Sequence, residues 1–228
     1  MEPKVAKFEK YLLTYFNKAE LNILLDEIFN KKIYDIDLET TTPIIFDVGA
    51  HIGLATIFFN QKYPLARITA FEPNPNTFPL LEENTYFNNI HNVTLHNVAL
   101  GKKSSQRTLF IDSSNNGSFS TASFMKDAWN GTQESLGIEV ITEPLSKYIN
   151  STIDLVKMDV EGTEQEIIEE LEESGKIGNI KNIIIEFHPT EKQDIEKIKS
   201  ILQKNGFTIE IRKDKKDKLV YILGKHSL

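Results

Sequence analysis

The sequence contains no cysteine. Disulfides, thiolate metal sites and cysteine nucleophiles are excluded together, and a cytoplasmic setting is the expectation. Tryptophan occurs once, at Trp129, where it reads as a packing anchor, with a platform for a substrate ring as the alternative. No apolar run is long enough to cross a bilayer. The stretch from Met1 to Lys10 lacks the apolar core of a secretory signal. Excess positive charge is missing too: the formal net charge is -7 and the pI about 5.4, which argues against a broad phosphate-binding surface. Neither a nucleic-acid nor a membrane partner is expected. The 228 residues, 40% of them hydrophobic, suffice for one α/β domain with a substantial core.

The organising stretch is Pro43 to Thr56, P-I-I-F-D-V-G-A-H-I-G-L-A-T. Ile44-Ile45-Phe46 is an apolar run of the kind buried on both faces of a parallel sheet. Asp47 ends it, Gly49 and Gly53 flank a tight turn, and Leu54 to Lys62 continues with helical spacing. Strand, Gly turn and helix make the βα unit that offers backbone N–H groups and a helix N-terminus to a ligand.

The dinucleotide fingerprint G-x-G-x-x-G needs its middle Gly for close approach of a pyrophosphate. Here His51 stands in that place, which opposes NAD. Asp47 is expected to point into the site, where it would repel phosphate but receive an ammonium group. Glu72, 25 positions on at the end of the next strand, can accept hydrogen bonds from ribose hydroxyls. An amino acid joined to a nucleoside, without phosphate, fits both acids, and S-adenosylmethionine (SAM) is such a ligand.

Four motifs, D-V-G-A-H-I-G, F-E-P-N-P, K-M-D-V-E-G-T-E and I-E-F-H, together resemble the FkbM family of SAM-dependent O-methyltransferases over roughly Pro43 to Lys225. The resemblance implies the class I methyltransferase fold: a Rossmann-like, mostly parallel seven-stranded sheet with helices on both faces and a terminal antiparallel hairpin. The expected cofactor-binding set is Asp47, Gly49, Ala50, His51, Gly53, Thr56, Glu72, Pro73, Asn74, Asn97, Val98 and Asp159. The implied reaction is methyl transfer to a hydroxyl of a small-molecule or sugar acceptor. The alternatives are a SAM-binding module without catalysis, or a methyltransferase acting on nitrogen or on a macromolecule.

In chain order, apolar residues spaced mostly by 3 and 4 between Val5 and Asn30 predict one or two amphipathic helices. They form an N-terminal helical extension over residues 1–40, packed on the core or serving as a dimer face or lid; the methyltransferase domain takes 41–228. Strands are expected at Arg67–Glu72, Val93–Val98, Ile153–Met158 and Ile183–Phe187. Thr77 or Asn76 is the expected cap of a helix to Asn88. Thr163 with Glu166 forms a capping box for Glu164–Glu173, and Thr190 caps Glu191–Asn205. Phe207–Arg212 and Lys218–Leu223 read as a closing hairpin around the charged turn Asp214 to Asp217. Between Lys102 and Glu143 the βα alternation breaks, with strand candidates Thr108–Asp112 and Ile138–Thr142 around a Ser-rich loop. This region is assigned to substrate specificity.

The expected catalytic residues are Lys157, Asp159, Glu161 and His188. Lys157 interrupts an apolar strand, and a buried ammonium needs a partner, for which Asp159 and Glu186 are candidates. His188 is the natural base by its ordinary pKa, with Lys157 an alternative if its pKa is depressed. Asp159, Glu186 and His188 could instead hold a divalent metal, although no ligand spacing in the sequence supports one. Asn97 is read either as an adenine contact or as a turn cap.

Overall fold

The computed structural model describes residues 2–112, 122–126, 135–191, 193–213 and 219–226. The Ser-rich loop from Ser113 to Thr121, Trp129 and the Asp214 to Asp217 turn fall outside them. Seven strands form the main sheet: β3 (Ile44–Val48), β4 (Arg67–Phe71), β5 (Val93–His96), β9 (Leu155–Met158), β10 (Asn182–Phe187), β11 (Phe207–Lys213) and β12 (Val220–His226). Their order is β11-β12-β10-β9-β3-β4-β5. Pairing is parallel except where β12 meets β10 and β11. From β3 the chain runs outward through β4 and β5, then returns to lay β9 on the other side of β3. Such a reversal opens a crevice at the strands' carboxyl ends, where open α/β sheets bind ligands.

Strand alternation divides the core. Phe46, Val48, Val156, Met158 and Ile185 face one cluster with α4 (Glu164–Glu173) and α5 (Ile195–Lys204). Ile45, Leu155 and Ile184 face another with α2 (Leu54–Lys62) and the N-terminal segment. The period of two sets Asp47, Lys157 and Glu186 on this second face. α3 (Phe78–Phe87) contributes Leu80 to this second cluster.

A separate three-stranded sheet, β6-β8-β7, is built from β6 (Ala99–Leu100), β7 (Ser105–Asp112) and β8 (Ser135–Glu143). The two strand candidates here are found, each extended.

The N-terminus corrects the sequence reading. In place of a helical run there is an antiparallel hairpin, β1 (Lys4–Phe8) and β2 (Tyr11–Tyr15), with Phe8 opposite Tyr11 across a two-residue turn. Only then comes α1 (Lys18–Leu25), capped by Asn17 and continued by a wider turn over Asp26–Asn30. Leu13 and Tyr15 are buried in β2, so their spacing served a strand face. Two helix caps are also corrected. Thr163 makes no capping bond, and Glu166 pairs with Arg107 instead; α5 starts at Ile195, capped by Asp194. Thr77 precedes α3, but its hydroxyl is spent on Glu72.

One buried side chain fastens the hairpin to the core. Asn84 of α3 accepts from Thr14 N at 2.6 Å and donates to the carbonyls of Thr14 at 3.0 Å and Ile52 at 2.8 Å. Removing it strands buried backbone groups, each worth about 1–3 kcal/mol. Asn84→Ala is therefore expected to lower stability by at least ~2 kcal/mol in urea titration, whereas substitution of exposed Glu83 should change it by under ~0.5 kcal/mol.

Candidate active site

A cavity of about 660 Å³ lies over the carboxyl ends of β3, β4, β9 and β10. Its floor is the Gly loop. Gly49 takes φ +79°, and a Cβ there would stand 1.7 Å from the Asp159 carbonyl oxygen, so only glycine lets the loop lie against the end of β9. The N–H groups of Gly49 and Ala50 both donate to the Phe71 carbonyl, at 3.0 and 2.9 Å. His51 occupies the left-handed region at φ +50°. Its buried ring is pushed by desolvation to a pKa of about 4 and is neutral at physiological pH.

Glu72, at the end of β4, is joined to this loop. One carboxylate oxygen accepts His51 N at 2.8 Å; the other accepts Asn74 N at 2.9 Å and the Thr77 hydroxyl at 3.0 Å. Burial pushes its pKa up, against these donors. Gly49, Ala50, His51, Glu72, Pro73, Asn74 and Val98 all line the cavity.

Four expected cofactor residues do not. Asp47 was expected to point into the site; it is instead fully buried beneath the loop, accepting the Thr56 hydroxyl at 2.6 Å. Its strand parity turns it inward, and Thr56 on α2 meets it there. Gly53 starts α2 against Leu81. Asn97 donates to the Glu72 and Pro73 carbonyls at 2.8 and 3.2 Å, the turn-holding role.

Lys157 lies opposite Asp47 in the β3–β9 register. Its ammonium is 3.2 Å from Asp47 Oδ1 and 3.7 Å from Asp159 Oδ2, and donates to the Gly49 carbonyl at 2.7 Å. Its main partner is thus Asp47, not Asp159 or Glu186. Burial alone would lower its pKa, but Asp47, Asp159 and Glu186 outweigh burial and raise it. The ammonium stays charged, which corrects the alternative of Lys157 as a base.

At the ends of β9 and β10 the acids converge on His188. Its Nδ1 is 2.9 Å from Glu164 Oε1, and Glu164 is fully buried. Its Nε2 lies 3.5 Å from Glu161, 3.9 Å from Asp159 and 3.9 Å from Glu186. Burial pulls the imidazolium down, yet Glu161, Glu164 and Asp159 carry its pKa well above 6.5. Burial pushes Glu161 to about 8, against the attraction of His188. Burial and then Asp159 push Glu186 to about 8 as well.

Sequence reasoning missed Tyr34. Its buried hydroxyl donates to Glu186 Oε2 at 2.8 Å and lies 3.2 Å from Asp159 Oδ2, and its ring lies under the Lys157 ammonium at 5.2 Å. Burial holds the phenol well above its usual pKa. Tyr34 sits in the short connection Ile33–Leu38, where no periodicity marks it. Glu20 and Leu24 of α1 add to the same wall, and Leu109, Phe124 and Met125 bring the second sheet's region to it.

The ion pair gives a stability test. Lys157→Met leaves Asp47 buried and unpaired, an expected loss of about 3–5 kcal/mol. Adding Asp47→Asn should recover part of that loss in chemical denaturation, because the uncompensated charge goes with it.

The comparisons follow this geometry. The sequence model of the methyltransferase FkbM domain matches residues 47–209. "Methyltransferase 1" of Beauveria bassiana is 27% identical over 214 residues, covering 86% of this chain and 84% of its own. "31-O-demethyl-FK506 methyltransferase FkbM" of Streptomyces tacrolimicus is 24% identical, covering 89% and 87%. A crystal structure of methyltransferase FkbM from Methylobacillus flagellatus superposes with TM-score 0.56 at 15% identity, over 82% of this chain and 44% of that one. The strand order, the glycine loop and the match from Asp47 onward agree: this chain belongs to the FkbM methyltransferase family.

Proposed function

We propose that the protein transfers a methyl group from SAM to a hydroxyl of a small-molecule or sugar acceptor. The cavity's residues fit SAM by their chemistry. Glu72 offers a fixed carboxylate for ribose hydroxyls beside the apolar wall of Phe71, Val98 and Leu100, and the Gly49–His51 backbone borders the same space. When bound, SAM supplies an electrophilic methyl on a sulfonium.

The chain's own part is to position the acceptor and take up its proton. The observation that carries the reading is His188, held through Nδ1 by buried Glu164, with Nε2 turned to the cavity among Glu161, Asp159 and Glu186. Its Nε2 takes the hydroxyl proton once the imidazolium has passed its own to one of the surrounding carboxylates. Lys157 holds the Gly49 carbonyl and Asp47 in place, and Tyr34 holds Glu186.

The deciding experiment is calorimetric titration with SAM and NAD, followed by incubation with SAM and a panel of hydroxylated metabolites, reading S-adenosylhomocysteine and methylated product by mass spectrometry. SAM binding with O-methylated product supports the reading; heat from NAD alone, or methylation only of amines or macromolecules, overturns it. Glu72→Ala should weaken SAM binding by ~1–3 kcal/mol. His188→Ala should lower kcat by ~10²–10⁴ with SAM affinity nearly unchanged.

A further inference from the structure

We propose that Asp159, Glu161 and His188 form a binding site for a divalent cation of the Mn²⁺ or Zn²⁺ class, facing the acceptor side of the cavity. One ligand atom from each comes within 4.8 Å of the other two. Ligands about 2.1 Å from one ion, at tetrahedral or octahedral angles, stand roughly 3.0–3.4 Å apart. The 3.5 and 3.9 Å gaps from His188 Nε2 to Glu161 and Asp159 exceed that by about 0.1 to 0.9 Å. They are too long for good hydrogen bonds and suit groups arranged around a shared centre.

The surroundings have the form of a metal site. His188 Nδ1 is engaged by Glu164, a fully buried carboxylate. Metal-bound imidazoles commonly have such a partner on the other nitrogen, which fixes the ring and its tautomer. Glu161 sits at φ +56°, a conformation unusual for a residue with a side chain. Charge points the same way. Asp159, Glu161, Glu164 and Glu186 converge here, while the nearest ammonium, Lys157, is closest to Asp47. A bound dication offsets that concentration of negative charge. Mixed nitrogen and carboxylate donors without thiolate suit Mn²⁺ or Zn²⁺ better than Ca²⁺.

The ion's role, though not its binding, rests on the hydroxyl-transfer reading. It holds the acceptor oxygen and lowers the hydroxyl pKa; with His188 Nε2 on the ion, the proton passes instead to Glu186, which lines the same cavity and is kept ionised by the dication. The new O–C bond then forms as the C–S bond breaks, with its electron pair left on sulfur.

The test uses the full chain, freed of metal with chelator, titrated with MnCl₂ and ZnCl₂ by calorimetry and, for Mn²⁺, by loss of the free-ion EPR signal. One site per chain is expected. Glu161→Gln and His188→Ala should each weaken binding at least ~10-fold, and Glu164→Gln about 10–100-fold, as for loss of a histidine's outer partner. Circular dichroism checks that each variant folds, and Glu139→Gln on the second sheet is the control. No saturable binding, or binding that all three variants leave unchanged, overturns the proposal. SAM affinity is measured on the same metal-free protein. SAM binding and turnover that persist without metal overturn the ion's role in transfer and spare the methyl-transfer reading. Metal binding without SAM binding spares the cation site and defeats the methyl-transfer reading.

Discussion

The site rests on one buried ion pair. Lys157 and Asp47 face each other across the two central strands, both with almost no exposure to water. Desolvating two charges is expensive and is offset only if each keeps close partners. Asp47 has the Thr56 hydroxyl; Lys157 has the Gly49 carbonyl, Asp159 and the face of Tyr34. The pair therefore ties α2, the glycine loop, the end of β9 and the N-terminal segment to one point. The groups that line the cavity stand directly above it.

The two ends of the cavity differ in their electrostatics. Near the glycine loop, the buried His51 is neutral and Glu72 is satisfied by fixed N–H and O–H donors. Around His188, four carboxylates meet one imidazole and one ammonium, Lys157, which lies 3.7 Å from Asp159 and closer still to Asp47. The first arrangement is settled without further charge, whereas the second gains from a proton or a cation. That contrast follows from strand ends: β4 delivers one acid to a turn rich in backbone donors, while β9 and β10 deliver several acids side by side.

The parallel core was legible because its signals are local. An apolar run followed by a glycine turn specifies strand, loop and helix within a few residues, and β3 and α2 start and stop where the sequence indicates. The strand-end positions of Glu72 and His188 were legible for the same reason: each follows directly on a strand. Asp47 was misjudged because strand parity alone does not say which face is the interior. That was decided by α2 folding back to bring Thr56 onto it. The N-terminal hairpin was misread because Phe8, Leu12, Leu13 and Phe16 satisfy a helical period and a short hairpin alike, and the choice was made by Asn84 and Asn88, some 70 residues away in sequence. Tyr34 left no trace, since its meaning lies in partners on β9 and β10.

Tyr34 and Glu20 lie before Asp47, where the family's shared sequence begins in this chain. A fragment cut to the family's limits would keep the glycine loop and the buried lysine but lose most of β3, most of β11 and all of β12. It would also open the cavity along one side and release Glu186 from its phenol. Domain boundaries drawn from sequence similarity would in this chain pass through the wall of the binding chamber. Fragment design and chimera exchange among relatives should therefore carry the first forty or so residues together with the sheet they close.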